Sequence, residues 1–428
     1  GTGMPRPPGL LDRLVVNAAQ GAGWEAGGPT RAPALRTPFE FSYSDDWLRL
    51  KISSTGIYTL TYSDLLGAGV DPSAIDPATL RLFSSGPLQQ PDLVDDGGSF
   101  EEDFHLNETA IIYNGSNSGE FLPGESIVFY ALGARGWTNA VDPSAAEHEY
   151  YEHYYDRENV YWLTWGGSFG DAPERMAPRD VSPAGSPPDV AVDRYTERIH
   201  REENNLYDPK YTDDRWYWRS LGVGTTTFSD NFTLTASTGA GRVRSLIYGP
   251  YNSFYTNHAA YYLNNVELGS FDWITTTYYF LPDTLDVAVS NLVNDVNTLR
   301  VTKGSNDKMY IMWHDIFYER YLAASGGRLD FFGPAAQGRA GYTMTGFPSG
   351  ALWLLDVTDW RSPVLLEGWE QDGGTVEFED ARGGAATHYA AAVSSVLMKP
   401  RIEIAGRNPG DLESLRDEAS SPHMVIIH

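Results

Sequence analysis

The chain has 428 residues, with 31 Lys and Arg against 57 Asp and Glu, a formal charge of −26, and no cysteine. That length asks for two to four domains of ~100–200 residues. The charge opposes phosphate backbones and anionic bilayers, so no nucleic-acid partner is expected, and without cysteine there is no disulfide framework, thiolate metal site or cysteine nucleophile.

Aromatic residues make up 13% of the chain, and 43 Gly and 26 Pro punctuate it closely, a mixture suited to short strands joined by turns. The expected class is therefore mainly β, built as tandem sandwich or jelly-roll-like domains with few short helices. No apolar run approaches the ~20 residues of a membrane span. In chain order, residues 1–38 are rich in Gly, Pro and Ala and read as a leader or arm. Strand-like runs at 39–43, 47–52, 56–61, 79–83, 109–113 and 126–131 define a first β-domain over 39–170. Inside it, residues 61–66 read as a short helix opened by a polar cap and stopped by Gly67 and Gly69.

Residues 171–189 carry Pro173, Pro178, Pro183, Pro187 and Pro188 and read as a stiff linker. Alternating stretches then predict a jelly-roll-like sandwich over 190–321 and a small β-domain over 322–398. Residues 399–428 read as a linker and a last strand, with the run 423–428 apolar on both faces, as in the first strand of a parallel sheet.

A search for chemistry returns little. His148 and His153 flank two glutamates, but histidines five apart on a helix diverge by about 140°, so a zincin site fails by one residue and a solvated loop is expected. His200, Glu202 and Asn204 share one strand face at i, i+2 and i+4, where they could hold a divalent ion or hydrogen-bond a neighbouring loop, the second being favoured. His258 and His314 read as core or rim histidines. No Gly-x-Ser-x-Gly elbow, phosphate loop or dinucleotide fingerprint occurs; no cofactor is expected, and no calcium-loop order supports a structural Ca2+. Trp216, Trp218 and Trp273 are candidates for stacking sugar rings on a surface sandwich, with packing between sheets as the alternative for about half of such rings.

The ordered runs resemble one family. Trp47-Leu48-Arg49-Leu50-Lys51-Ile52, the runs 55–62, 80–83, 121–130 and 159–163, His200-Arg201-Glu202-Glu203-Asn204 with Tyr207, His258 with Leu263-Asn264-Asn265, and Tyr318-Glu319-Arg320-Tyr321 are similar to the front region of gingipain-type cysteine peptidases, including the sortase-like members of type nine secretion. Glu125 stands where a shorter Asp is common, and Asn265 where a turn Gly is frequent. Residues 421–428 resemble the first strand of the family's caspase-like catalytic domain, whose catalytic His and Cys lie well beyond it. The resemblance therefore implies no catalytic residue in this chain, His428 included. It implies an extracytoplasmic bacterial protein, secreted or at the cell surface, whose β-domains pack on a downstream peptidase domain and restrain, orient or target it. The competing expectation is a surface carbohydrate-binding or adhesion sandwich, with a cell-surface glycan as its partner.

Overall fold

The computed structural model describes residues 40–88, 106–116, 118–146, 149–153, 156–207, 216–222, 224–248, 252–275, 282–304, 308–335 and 337–404. The expected arm at 1–38 and last strand at 423–428 lie outside them. The protein is mainly β, with one α-helix among the described residues. That helix, Tyr62–Gly67, is the one expected from the sequence: Thr61 caps it, and a capping box joins Thr61 to Asp64.

Trp47–Ile52 is the hub of the first sheet, pairing antiparallel with Asn159–Thr164 on one side and Arg401–Ile404 on the other. Arg81–Ser84 and Asn107–Thr109 extend it. A smaller sheet of Gly56–Thr61, Ser126–Ala131 and Ile112–Asn114 completes a core around Leu50, Ile57, Phe129 and Tyr161. This core does not close within 39–170. Leu355, Val357, Trp360 and Ala390 also belong to it, and Met398 exchanges backbone hydrogen bonds with Ile57 and Thr59. The stretch read as a linker from 399 onward thus begins as an edge strand of the first sheet.

A loop inside this unit hangs on one carboxylate. Glu125 accepts from Tyr113 Oη, from Ser116 N and Oγ at 2.7 Å each, and from Leu122 N at 2.7 Å. The longer reach of Glu here spans two backbone segments, and Gly115 is required beside it, since a Cβ there would sit 2.7 Å from the carboxylate carbon. The Tyr113 hydroxyl and these amides hold the Glu125 carboxyl down at about 2, from an ordinary 4.5. A depressed carboxylate contributes stability above its unfolded pKa and loses it as pH falls through the folded one. Glu125→Gln should therefore lower the thermal midpoint at pH 7 and abolish the part of the wild-type decline lying between pH 4.5 and about 2. Thermal melts of both proteins across that range check this, and parallel acid limbs would refute it.

The Pro-rich stretch is built into the fold rather than strung between domains. Pro178–Asp180 pairs in parallel with Val364–Glu367, and Val190–Val192 pairs in parallel with Gln337–Met344. The two strands enlarge the facing sheets of a third unit, whose core holds Val181, Phe331, Tyr342, Leu354, Phe378 and Tyr389. Proline deprives the segment of amide donors, but at sheet edges only one side needs them.

Between Val192 and Leu322 the chain leaves this unit to form a two-sheet sandwich. One sheet orders Arg194–Glu202, Met309–Tyr321, Ser237–Tyr248 and Pro282–Val289, with Arg219–Leu221 also against Met309–Tyr321. The other orders Thr227–Leu234, Asp295–Lys303, Asn252–Leu263 and Val266–Thr275. Val243, Tyr261, Leu299, Ile311 and Ile316 fill the space between them. The turn after Leu263 takes left-handed φ at Asn264 (49°) and Asn265 (67°), which asparagine tolerates, so the glycine often found at this turn is not needed.

Candidate functional site

Arg194–Glu202 is the edge strand of the sandwich that runs past the first unit. Its period-2 alternation sends Ile199 towards the sandwich core and Arg198, His200 and Glu202 to the outer face. There His200 meets a partner from a distant part of the chain. Nδ1 donates to Asp315 Oδ1 at 2.7 Å, and Nε2 donates to Glu202 Oε2 at 2.9 Å. The ring stacks on Tyr150 of the first unit, with centroids 3.9 Å apart and planes 13° apart, while Trp137 and Trp313 close in at 6.2 and 6.0 Å.

Strand register explains the arrangement. His200, Asp315, Arg244 and Asp286 occupy facing positions on four successive strands, a transverse row of alternating sign. Asp315 is buried and also accepts from Arg244 Nη1 at 3.3 Å. Burial pushes the His200 imidazole down, but the hydrogen bonds and charges of Asp315 and Glu202 outweigh it and hold its pKa above 6.5. The protonated ring is what satisfies both carboxylates.

Two residues back, the Arg198 guanidinium lies 4.9 Å from the Trp137 ring and 4.6 Å from the Phe332 ring, and donates to Asn139 Oδ1 at 2.9 Å. A single side chain of the sandwich thereby touches both other units. Beside His200 opens a cleft of about 460 Å³, lined by Glu149, Tyr150, Glu152, Glu202, Asn204 and Trp313 among others. Burial and the nearby Glu202 charge raise the Glu152 carboxyl. Asn204 Oδ1 is buried in this region with no hydrogen-bond partner.

The structure thus joins His200 to Glu202 and sets Asn204 in the same cleft. Both ring nitrogens of His200 are committed to carboxylates, which leaves no lone pair for a metal, and no group of three His, Asp or Glu among the described residues could hold one. What the arrangement does chemically is neutralise buried charge at a junction between units.

The other candidates fall apart from it. His314 is fully buried in the sandwich, hydrogen-bonded through Nδ1 to Ser245 Oγ at 2.7 Å, and burial pushes its pKa down to about 3, so it stays neutral. His258 is half exposed and pairs with Asp272 at 2.6 Å. His148 lies outside the described residues, while His153 Nδ1 accepts from Asp156 N at 3.0 Å. Trp218, expected as a sugar platform, is 8% exposed and packs edge-on to Phe228 in the sandwich core. Trp216 is half-buried against Tyr207. Trp273 sits on Val266–Thr275 opposite Asn257, and its side chain lies outside the described set.

Sequence reasoning missed Asp315, Tyr150, Trp137, Arg198 and Arg244. One signal was in view: the acidic, aromatic run around His148 and His153 supplies Tyr150 and Glu152, so its tyrosine and glutamate matter at the junction rather than its histidine spacing.

No protein-family model matches the chain, and no curated protein matches its sequence. Among solved structures, dimeric latent PorU from Porphyromonas gingivalis is similar, with a TM-score of 0.66 and 18% identity over 86% of this chain and 33% of that one. The likeness is one of fold. The chain spans about one third of PorU. A family 35 carbohydrate-binding module from an environmental isolate aligns with 28% of this chain and 91% of its own at 14% identity, with a TM-score of 0.23. A CBM35 from Cellvibrio japonicus aligns with 28% of this chain and 92% of its own at 13% identity and 0.21. At those scores the two modules support no argument. No helix among the described residues is long and apolar enough to cross a membrane.

Proposed function

We propose that this chain is the non-catalytic β-region of a secreted gingipain-like cysteine peptidase, and that it works by packing on the peptidase domain, which it restrains, orients or targets. The observation that carries this reading is the fold shared with PorU, a sortase-like protease of type IX secretion, across 86% of this chain and only a third of PorU. The site chemistry agrees with it. The chain has no cysteine to act as nucleophile, and His200, His258, His314 and His388 are each engaged with a side chain of this chain. An extracytoplasmic, bacterial cell-surface location follows from the same reading.

The test begins with the encoding gene beyond residue 428. A peptidase domain found there is produced separately, and its binding to this chain and its turnover of a peptide substrate are measured with and without the chain added. Saturable binding with changed turnover or specificity is the expected result. An open reading frame without such a domain, or a domain that neither binds nor responds, overturns the proposal.

A further inference from the structure

Asn114 and Gly115 form the one Asn-Gly pair in the 428 residues. They stand where the strand Ile112–Asn114 ends: Asn114 is the last rung of its ladder, opposite Ser126, and Gly115 bends the chain out of the sheet. Asn114 is exposed, and among the described residues its carboxamide makes no hydrogen bond. The Gly115 amide, one residue beyond the ladder, has no partner among them either. Asparagines elsewhere are tied down: Nδ2 donates at 2.8 Å from Asn159 to Leu132 O, from Asn291 to Leu263 O and from Asn297 to Val293 O. At 114 an electrophilic carboxamide carbon adjoins an amide nitrogen that nothing holds and no side chain shields.

Packing keeps this pair in place. A Cβ at 115 would lie 2.5 Å from the Tyr113 ring and 2.7 Å from the Glu125 carboxylate carbon, so a bulkier residue that would slow attack by this amide does not fit. The residues flanking the pair, Tyr113 and Ser116, both hold the Glu125 carboxylate, Ser116 through N and Oγ at 2.7 Å each. The length of backbone between them is therefore part of the clamp.

We propose that Asn114 is a self-modification site, where attack by Gly115 N on the side-chain amide converts asparagine to isoaspartate and unfastens Ser116 from Glu125. Gly115 N gives up its proton and bonds to Asn114 Cγ. The bond from Cγ to the carboxamide nitrogen breaks, and that nitrogen leaves with the proton as ammonia. The five-membered succinimide that remains takes up water. Opening at Cγ gives aspartate on an unaltered backbone, whereas opening at the main-chain carbonyl carbon routes the backbone through Cβ and Cγ. The second product adds a methylene, about 1.5 Å of path, between Tyr113 and Ser116, so the two no longer converge on one carboxylate. Because the attacking amide must lose its proton, conversion speeds up as pH rises.

The test holds the whole folded chain at 37 °C for weeks at pH 6 and at pH 9, then maps its peptides by mass spectrometry, with enzymatic methylation scoring isoaspartate. Residue 114 should gain the mass of an amide-to-acid change at least tenfold faster than the hydrogen-bonded Asn159, Asn291 and Asn297, and faster at pH 9 than at pH 6. A lower thermal midpoint should accompany conversion. Freshly made Asn114→Asp, which carries the new charge on an unaltered backbone, should keep the original midpoint. So should Asn114→Gln aged alongside, whose longer side chain needs a slower six-membered ring. In Glu125→Gln, where the clamp is already weakened, ageing should lower the midpoint by less than half as much as in the wild type. Asn114 still intact in the folded chain when a denatured sample has converted overturns the proposal. So does a converted protein that melts like the fresh one, or a drop in Glu125→Gln as large as that of the wild type.

Discussion

Replacing Arg81 by methionine is expected to cost about 3–5 kcal/mol of folding stability, the range for stranding one partner of a buried ion pair. Arg81 is 3% exposed on Arg81–Ser84, an interior strand of the first sheet between Asn159–Thr164 and Asn107–Thr109. Its guanidinium pairs with Glu108 on the neighbouring strand, reaches the Asp171 carboxylate at 3.1 Å and backbone carbonyl, and lies 4.6 Å from the Phe169 ring. One cation thus fastens two strands and the segment that leaves the sheet. Burial already raises the Glu108 carboxyl, and without Arg81 that group would lose its ion-pair partner, so most of the loss is the cost of a poorly compensated buried charge. Urea unfolding of Arg81→Met measures the effect, and adding Glu108→Gln should recover a substantial part of it. A loss below about 1 kcal/mol would mean that the pair behaves as a solvated surface bridge.

Arg179→Met should cost about 2 kcal/mol, less because this side chain is 37% exposed. Arg179 comes from the Pro-rich segment and bridges Asp356 at 2.8 Å and Asp380 at 2.9 Å. Asp380 is buried and also accepts from Tyr389 Oη at 2.7 Å, in the middle of the third core. The loss should be accompanied by faster cleavage in the 171–189 stretch under limited proteolysis, because Pro178–Asp180 then keeps its parallel ladder and the buried Val181 but loses its clamp to Asp356 and Asp380. Unchanged cleavage with unchanged stability would show that the parallel strand needs no clamp.

Alternation and short apolar runs made many strands legible, although the run at 39–43, expected as a strand, forms a 3-10 turn at Glu40–Tyr43. Trp47–Ile52, Gly56–Thr61 and Ser126–Ala131 lie within a residue of where their apolar pattern puts them, and the Thr61 cap announced the one described helix. The same alternation placed His200 and Glu202 on one face. The closure of the cores was not legible. Leu355 and Trp360 pack with Leu50, and Arg401–Ile404 joins Trp47–Ile52, although proline, glycine and changes in composition mark boundaries between those stretches. A proline-rich segment has the same composition whether it hangs between domains or lies along a sheet edge, because the difference rests on what its carbonyls meet.

What the sequence by itself determined is local: β class, the helix cap, the absence of any cysteine chemistry, and the shared face of His200 and Glu202. The tertiary structure decided what that face is for. Asp315 lies 115 residues from His200 along the chain, and Tyr150 comes from another unit. Local pattern reports which side of a strand a residue occupies, since that depends on the backbone's own repeat. Whether a histidine there is a ligand, a base or a buried cation neutralising carboxylates depends on the field of neighbours brought by register and docking, which no local spacing encodes.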